Sequence, residues 1–554
     1  MYGQILSTYG DKKQILLVIG TGRIHAGFPL FARACSIQLD HCALSGYQTP
    51  YRSNVEDAVN VTRLLVPTCL FAMMCWAPEF RAQSEDRIPS GTIYLGWASR
   101  EITPDKPVAL SGQFHKRIST HVETPLRATA LAIETREGER SIDQAILVSC
   151  DLIGIDDAIP SRLRRNLEEK LAGFDTRKLI LNATHTHTGP VTGEKWYEVT
   201  EAGVMKPGEY VEFLLDRLSE TVVEAWQKRQ PGSVNWGLGY ATVGFNRRMV
   251  YADGHAAMYG RNNTDDFRYV EGYEDSTIQT LFFWDANRNL TGVAVNVPCP
   301  SQVVEGENYV SSDFWHDVRA ILRERFSKEL CVLAWTGASG DLSPHPQIRK
   351  AAATRMREMS GNGSETRAIA IRIADAVNYA YGAVRNETYA QLPFAHVVQS
   401  LQLPTPRISR EEYLAAKSSC EAIRSKPRAN WGGEDFARLA WHQEVIDRYE
   451  HPEKHASYTM ELHALRLGDV AIATNPFELF LDYGIQIQAR SRALQTFVIQ
   501  LACGDGGYLP TERAVAGGGY SAVAESVLVG PAGGRILVDR TLGALNAFWP
   551  GEPR

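Results

Sequence analysis

An α/β fold, with mixed β-sheets flanked by helices in one large catalytic domain, is predicted for most of this chain by three observations. Beyond Pro89, short apolar runs of strand length alternate with amphipathic stretches of helical period. Of 554 residues, 44% are hydrophobic and 22% charged, an ordinary globular balance with ample length for a buried core. Several strand candidates also end in polar, glycine-containing corners, as in open α/β sheets that deliver residues to a ligand at their carboxyl ends.

The strand candidates, in order, are 126–134, 145–150, 179–183, 280–283, 293–297, 331–335 and 471–474, each an apolar run too short for a helix. The helix candidates are 161–171, 210–227, 312–326, 366–381, 410–423, 435–449 and 479–492. Basic residues between Arg410 and Arg438 are interspersed with acidic ones, which predicts a solvated helical face. The net charge is −6 and no basic run reaches five residues, so no nucleic-acid partner is expected.

The first stretch reads differently. The apolar run from Leu64 to Ala77 is too short for a membrane span, which needs about 20 apolar residues. With Arg63 before it and Ala82 ahead of a polar run, 61–82 has the outline of a signal peptide. Signal peptides begin at the initiator, so 1–60 is expected to be an over-extended gene model or a disordered segment, with translation starting near Val61. The domain of interest is then 88–554, periplasmic or secreted and without a transmembrane anchor. A glycine loop after Ile19 lacks the third glycine of a dinucleotide fingerprint, because position 25 is His. Cys150, Cys299, Cys331, Cys420 and Cys503 are widely spaced and most of them read as buried thiols, with neither a disulfide framework nor a zinc knuckle.

Four corners carry chemistry. In Thr184-His185-Thr186-His187-Thr188-Gly189-Pro190, the two histidines would point to opposite faces of an extended chain, so one is read as a metal ligand and the other as its neighbour unless the backbone turns. Gly340-Asp341-Leu342-Ser343-Pro344 is a tight turn with an embedded serine, and Asn475-Pro476-Phe477-Glu478 places a carboxylate where it serves either a helix start or a metal. Tyr508 and Tyr520 sit among glycines, either packed under loops or forming a phenolic rim. No G-x-S-x-G elbow, H-E-x-x-H or P-loop is present.

These corners resemble those of the neutral/alkaline non-lysosomal ceramidase family, zinc amidases that cut the N-acyl bond of ceramide, over nearly all of 90–554. The resemblance implies zinc as cofactor, with His185, Glu478 and Tyr508 as ligands, His187 as a polar neighbour and Ser343 as the catalytic serine. It also implies that Arg247, in Phe245-Asn246-Arg247-Arg248, faces the reacting carbonyl and that Tyr520 is a second site tyrosine. One position departs from the family. Where a second zinc histidine is expected, the chain reads Val297-Pro298-Cys299-Pro300-Ser301-Gln302. Either the Cys299 thiolate substitutes, or Gln302 or Glu305 reaches in, or metal is bound poorly or not at all. The expected activity is hydrolysis of an N-acyl amide of a small molecule or lipid by zinc-activated water, with His187, Arg247 and Tyr520 stabilising the oxyanion and Ser343 acting as nucleophile or water-positioning group. The alternatives are deacylation of a non-lipid amide or ester such as an N-acyl sugar, and a non-catalytic binding relative. The oligomeric state is not legible.

Overall fold

Three pairs of parallel strands organise the molecule, seen here in a computed structural model that describes residues 88–551 together with the short antiparallel pair Leu6–Thr8 and Lys13–Ile15. The expectations for 1–60 and 61–82, and for the glycine loop, fall outside the described residues apart from that pair. The described residues from 88 onward belong to one compact unit.

Its main sheet is mixed and has twelve strands. Arg140–Cys150 runs parallel to Leu179–Ala183, Leu290–Val297 to Cys331–Thr336, and Val470–Thr474 to Gln495–Ile499. Long antiparallel strands join these pairs. Ser90–Glu101 is the hub, pairing with Arg127–Glu137, Gln230–Tyr240 and Gln391–Pro404. The inward faces of all three regions meet in one core that includes Leu147, Ile180, Leu333, Trp335, Ile472 and Phe497. Parallel strands buried on both faces read as nearly continuous apolar runs, which is why five of these six were visible in the sequence; Gln495–Ile499, which opens on Gln and Thr, was not among the strand candidates.

Helices cover the outer faces. Pro207–Gln227 lies over Ser90–Glu101 and Arg127–Glu137, Glu365–Val384 over Gln230–Tyr240, and Pro531–Asn546 over Gln391–Pro404. All seven expected helices are present with ends displaced by a few residues, the last as Leu481–Arg490. Its later start has a local cause: Glu478–Leu479 forms a two-residue strand with Tyr508–Leu509, so Glu478 is not a helix-start acid.

The long strands Gln391–Pro404 and Ser457–Leu467 were not expected from the apolar runs. Gln391–Pro404 largely alternates buried with exposed or half-buried positions, and in Ser457–Leu467 Thr459, Glu461, His463 and Arg466 break up the apolar residues, which conceals both from a search for apolar runs. The five thiols beyond residue 88 are all free, three of them buried and Cys331 and Cys503 partly exposed. Among the described residues, no helix is long and apolar enough to cross a membrane.

Candidate active site

The carboxyl ends of the parallel pairs converge. The Thr336 hydroxyl donates to the Ala183 carbonyl at 3.2 Å, and the Gln500 amide donates to the Thr336 carbonyl at 3.0 Å, tying together the strand ends that lead to His185, Ser343 and Tyr508. This is where an open α/β sheet places its ligand.

His185 adopts φ +65°, a left-handed conformation uncommon for a residue with a side chain. That turn brings the His185 and His187 rings to 4.8 Å instead of setting them on opposite faces. His185 Nδ1 lies 2.6 Å from the Ile153 carbonyl, which can only accept, so the proton sits on Nδ1 and Nε2 is left free. Nε2 faces Glu478 Oε2 at 3.5 Å. His187 is held against Gly112, where a Cβ would meet its ring at 2.5 Å. Its Nδ1 approaches Glu305 Oε2 to 3.3 Å, yet neither ring nitrogen has a well-directed hydrogen bond, so the approach is an electrostatic contact. Burial lowers the His187 pKa against the pull of Glu305. For Glu305, burial favours protonation, and His187 and His345 outweigh it, holding the carboxyl well below the usual range.

Two minimal ladders bring in the remaining groups. Phe245–Asn246 pairs with Leu342–Ser343, and Glu478–Leu479 with Tyr508–Leu509. Arg247 is buried; its Nη2 donates to the Gly340 carbonyl at 3.0 Å and the Tyr508 hydroxyl at 3.3 Å, and lies 3.8 Å from Glu478 Oε2. Burial works against the Glu478 charge, but His185, Arg247 and a hydrogen bond from Tyr508 keep its pKa below the ordinary carboxylate value. Gly340 is required by close approach, since a Cβ there would lie 2.3 Å from the Glu478 carbonyl oxygen. Asp341 pins both ladders, accepting from the Leu481 amide at 2.9 Å and from Asn246 Nδ2 at 2.8 Å. The turn-forming reading of Gly340-Asp341 is thereby joined to a positioning one.

Ser343 is fully buried, and its Oγ accepts from the Tyr259 hydroxyl at 3.0 Å and the His345 amide at 3.1 Å. The His345 ring turns elsewhere, with Nε2 3.1 Å from the Gln302 carbonyl. Tyr520 stands at the rim, its exposed ring 5.7 Å from that of Tyr508 and near Phe114 and Trp441. His185, His187, Arg247, Ser343, Glu478 and Tyr508 are thus linked in one buried neighbourhood, with Tyr520 at its edge.

Cys299 corrects an expectation. Its thiol donates to the Val243 carbonyl at 3.4 Å, its side chain belongs to the apolar cluster of Val243, Val297 and Phe314, and burial holds it well above the usual thiol range. A thiol packed among apolar side chains and directed at a backbone carbonyl is turned away from a ligand's role. Glu305, weighed as a substitute, is instead the carboxylate beside His187. Tyr259, which no motif marked, joins the site from a left-handed position, φ +54°, and accepts from Gln302 Nε2 at 2.8 Å and Arg247 Nη1 at 3.3 Å. Its only local signal is the following Gly260, which must pass close to the Tyr251 hydroxyl.

The residues fit a cation. Two ligands on one tetrahedral zinc, each about 2.1 Å from it, stand about 3.4 Å apart, close to the His185–Glu478 separation of 3.5 Å. The undirected buried nitrogens of His187 are a further sign of unfilled coordination or hydrogen bonding. Among the described residues, the three ligand atoms that gather within 4.8 Å of one another are those of Glu461, His463 and Cys503, none of them one of these groups. That cluster already has a positive partner: Arg164 makes two bonds to Glu461, at 2.6 and 2.9 Å.

No family model matches the chain. The neutral ceramidase of Pseudomonas aeruginosa is 27% identical over 233 residues, which cover 40% of this chain and about a third (32%) of that relative's length. The crystal structure of neutral ceramidase from Pseudomonas aeruginosa superposes with a TM-score of 0.60 at 17% identity, covering 82% of this chain and 74% of the other. A ceramidase complexed with C2 gives 0.61 at 16% identity, covering 82% and 75%. In fold the chain is neutral ceramidase-like, and in sequence it is a divergent relative.

Proposed function

We propose that the chain is a zinc-dependent hydrolase of an N-acyl amide bond, acting on a lipid amide of the ceramide type. The observation that carries this reading is the meeting of His185, Glu478, Arg247 and Tyr508 at the strand ends, around a gap of the width zinc ligands require. The similarity to neutral ceramidase, whose name states its substrate class, supports the choice of amide.

His185, Glu478 and Tyr508 would hold the ion, with the Ile153 carbonyl fixing the His185 tautomer. Zinc bound there supplies Lewis acidity and lowers the pKa of water toward about 7. Arg247, locked by the Gly340 carbonyl, presents its charge to the oxygen of the reacting carbonyl without reorganising, and Tyr520 adds a donor worth on the order of 3 kcal/mol. The Glu305 carboxylate beside Nδ1 of His187 favours the Nδ1–H tautomer, leaving Nε2 to accept a proton from the attacking water and return it to the departing amine. Ser343 Oγ accepts two hydrogen bonds and has no ring nitrogen beside it, which favours a water-positioning role over nucleophilic attack. The export expected from 61–82 joins this proposal, and peptide mapping of the mature N-terminus tests it.

The test is metal analysis of the purified chain, with hydrolysis of a panel of lipid amides, N-acyl sugars and esters before and after chelation. Near-stoichiometric zinc and chelator-sensitive cleavage of the lipid amides are expected. Preference for the sugars would move the substrate class, and inactivity on every amide with zinc bound would sink the hydrolase reading.

A further inference from the structure

The helix Lys350–Ser360 begins seven residues beyond Ser343 and differs from every other described α-helix in having no buried residue. Eleven residues are too few for a stable isolated helix in water, where about 12–15 are marginal and tertiary packing normally supplies the stability. It is capped at its C-terminus by the left-handed Gly361, whose amide donates to the Glu358 carbonyl, but not at its start. Arg349, at the N-cap, is left-handed with φ +61° and makes no side-chain cap. A surface that receives one face of this helix would supply what the rest of the chain does not.

At 100° per residue, Ala352, Met356 and Met359 share one stripe. Met356 is 58% exposed and Met359 66%, and Ile348, just before the helix, is 43% exposed. The charges that flank the stripe are basic, Arg355 on one side and the N-cap residue Arg349 on the other, while Lys350 and Arg357 lie on the opposite face; the one acid is Glu358, in a chain whose net charge is −6. Arg357 is paired with Glu365 at 2.9 Å, whereas Lys350 and Arg355 have no ion pair among the described residues. Glu365 in turn lies within electrostatic reach of His345, two residues beyond Ser343.

We propose that this helix docks on an anionic bilayer surface, with Ala352, Met356 and Met359 turned into the boundary between headgroups and acyl chains and the flanking Arg349 and Arg355 on lipid phosphates. The charge pattern selects this occupant over a second copy of the chain, because a symmetric contact would set two basic stripes against each other. The contact is small and therefore reversible, sufficient to orient the mouth of the site toward a membrane. It goes beyond the hydrolase reading and does not need turnover.

The experiment is co-sedimentation of the full chain with vesicles of phosphatidylcholine alone and of phosphatidylcholine mixed with phosphatidylglycerol. Binding to the mixed vesicles is expected, weakening about fivefold for each of Arg349→Gln and Arg355→Gln, and much less for Lys350→Gln on the opposite face. The double variant Met356→Glu/Met359→Glu should lose about tenfold or more. Both side chains are exposed, so this variant should keep the wild-type melting temperature and its hydrolysis of a soluble short-chain amide; Met356→Ser/Met359→Ser serves if the charged pair fails to fold. Failure to bind mixed vesicles, or equal binding by the double variant, overturns the proposal. So does self-association, or capture of an acidic protein, that the double variant abolishes. A chain that binds vesicles yet cleaves no amide would refute the hydrolase reading alone.

Discussion

Two buried polar clusters in this protein use the same residue types and do opposite things. Around Glu461, the carboxylate meets His463 Nε2 at 2.6 Å and Arg164 at 2.6 and 2.9 Å, and His463 Nδ1 continues to His396 at 2.9 Å. Around Glu478, the imidazole stands back at 3.5 Å and the guanidinium at 3.8 Å. The first cluster is closed, with its charge compensated by direct contacts. The second has the wider spacing that an inserted cation needs. A set of ligand-type residues is therefore not in itself a metal site: what matters is whether the protein's own cation already fills the gap.

The largest expected effect separates the clusters directly. Glu478→Ala or His185→Ala should abolish stoichiometric zinc and reduce amide hydrolysis about 100-fold or more, measured by metal analysis and kcat/KM. Glu461→Gln should leave zinc content unchanged; loss of zinc in that variant would reverse the assignment. Next is Arg247→Lys, expected to lower kcat about 10- to 100-fold, because a lysine cannot reach the Gly340 carbonyl, Tyr508 and Tyr259 together. An unchanged kcat would remove Arg247 from the oxyanion role.

Gly340→Ala tests the spacing itself. Its methyl would displace the Glu478 backbone, and a loss of about tenfold in activity with about 1–3 kcal/mol in stability is expected, read by kinetics and denaturant unfolding.

The smallest effect is a pH dependence in the closed cluster. Burial opposes the Glu461 charge, but His463 and Arg164 prevail and lower its pKa to about 2. A carboxyl depressed on folding contributes stability above its unfolded value of about 4.3, and that contribution is lost as pH falls toward about 2. Glu461→Gln should therefore cost about 2 kcal/mol at neutral pH and much less near pH 2, followed by urea unfolding across that range. A cost independent of pH would mean that packing, not charge, holds the cluster.

Much of this arrangement was readable in the chain, for definite reasons. Most of the parallel strands are buried on both faces and largely apolar, so all but Gln495–Ile499 stood out, and the corners that follow them carry His185, Ser343, Glu478 and Tyr508 in chemical motifs. The half-exposed strands Gln391–Pro404 and Ser457–Leu467 lacked that contrast. Tyr259 was invisible because it reaches Ser343 through a fold that joins positions 84 apart in sequence. The substitution at Cys299 was visible, but its direction was not: the thiol turns to Val243, while Glu305 faces His187.

Residue chemistry and hydrophobic patterning were enough to establish an α/β scaffold, the corners where chemistry collects, and the absence of a histidine at 299–300. Direction was settled by long-range contacts. The left-handed turn at His185 aims its ring, and two-residue ladders bring Asn246 beside Leu342 and Glu478 beside Tyr508. Ligand formation depends on spacings of a few tenths of an ångström, and such spacings are set by which distant backbones pair, a property that no local run of residues encodes.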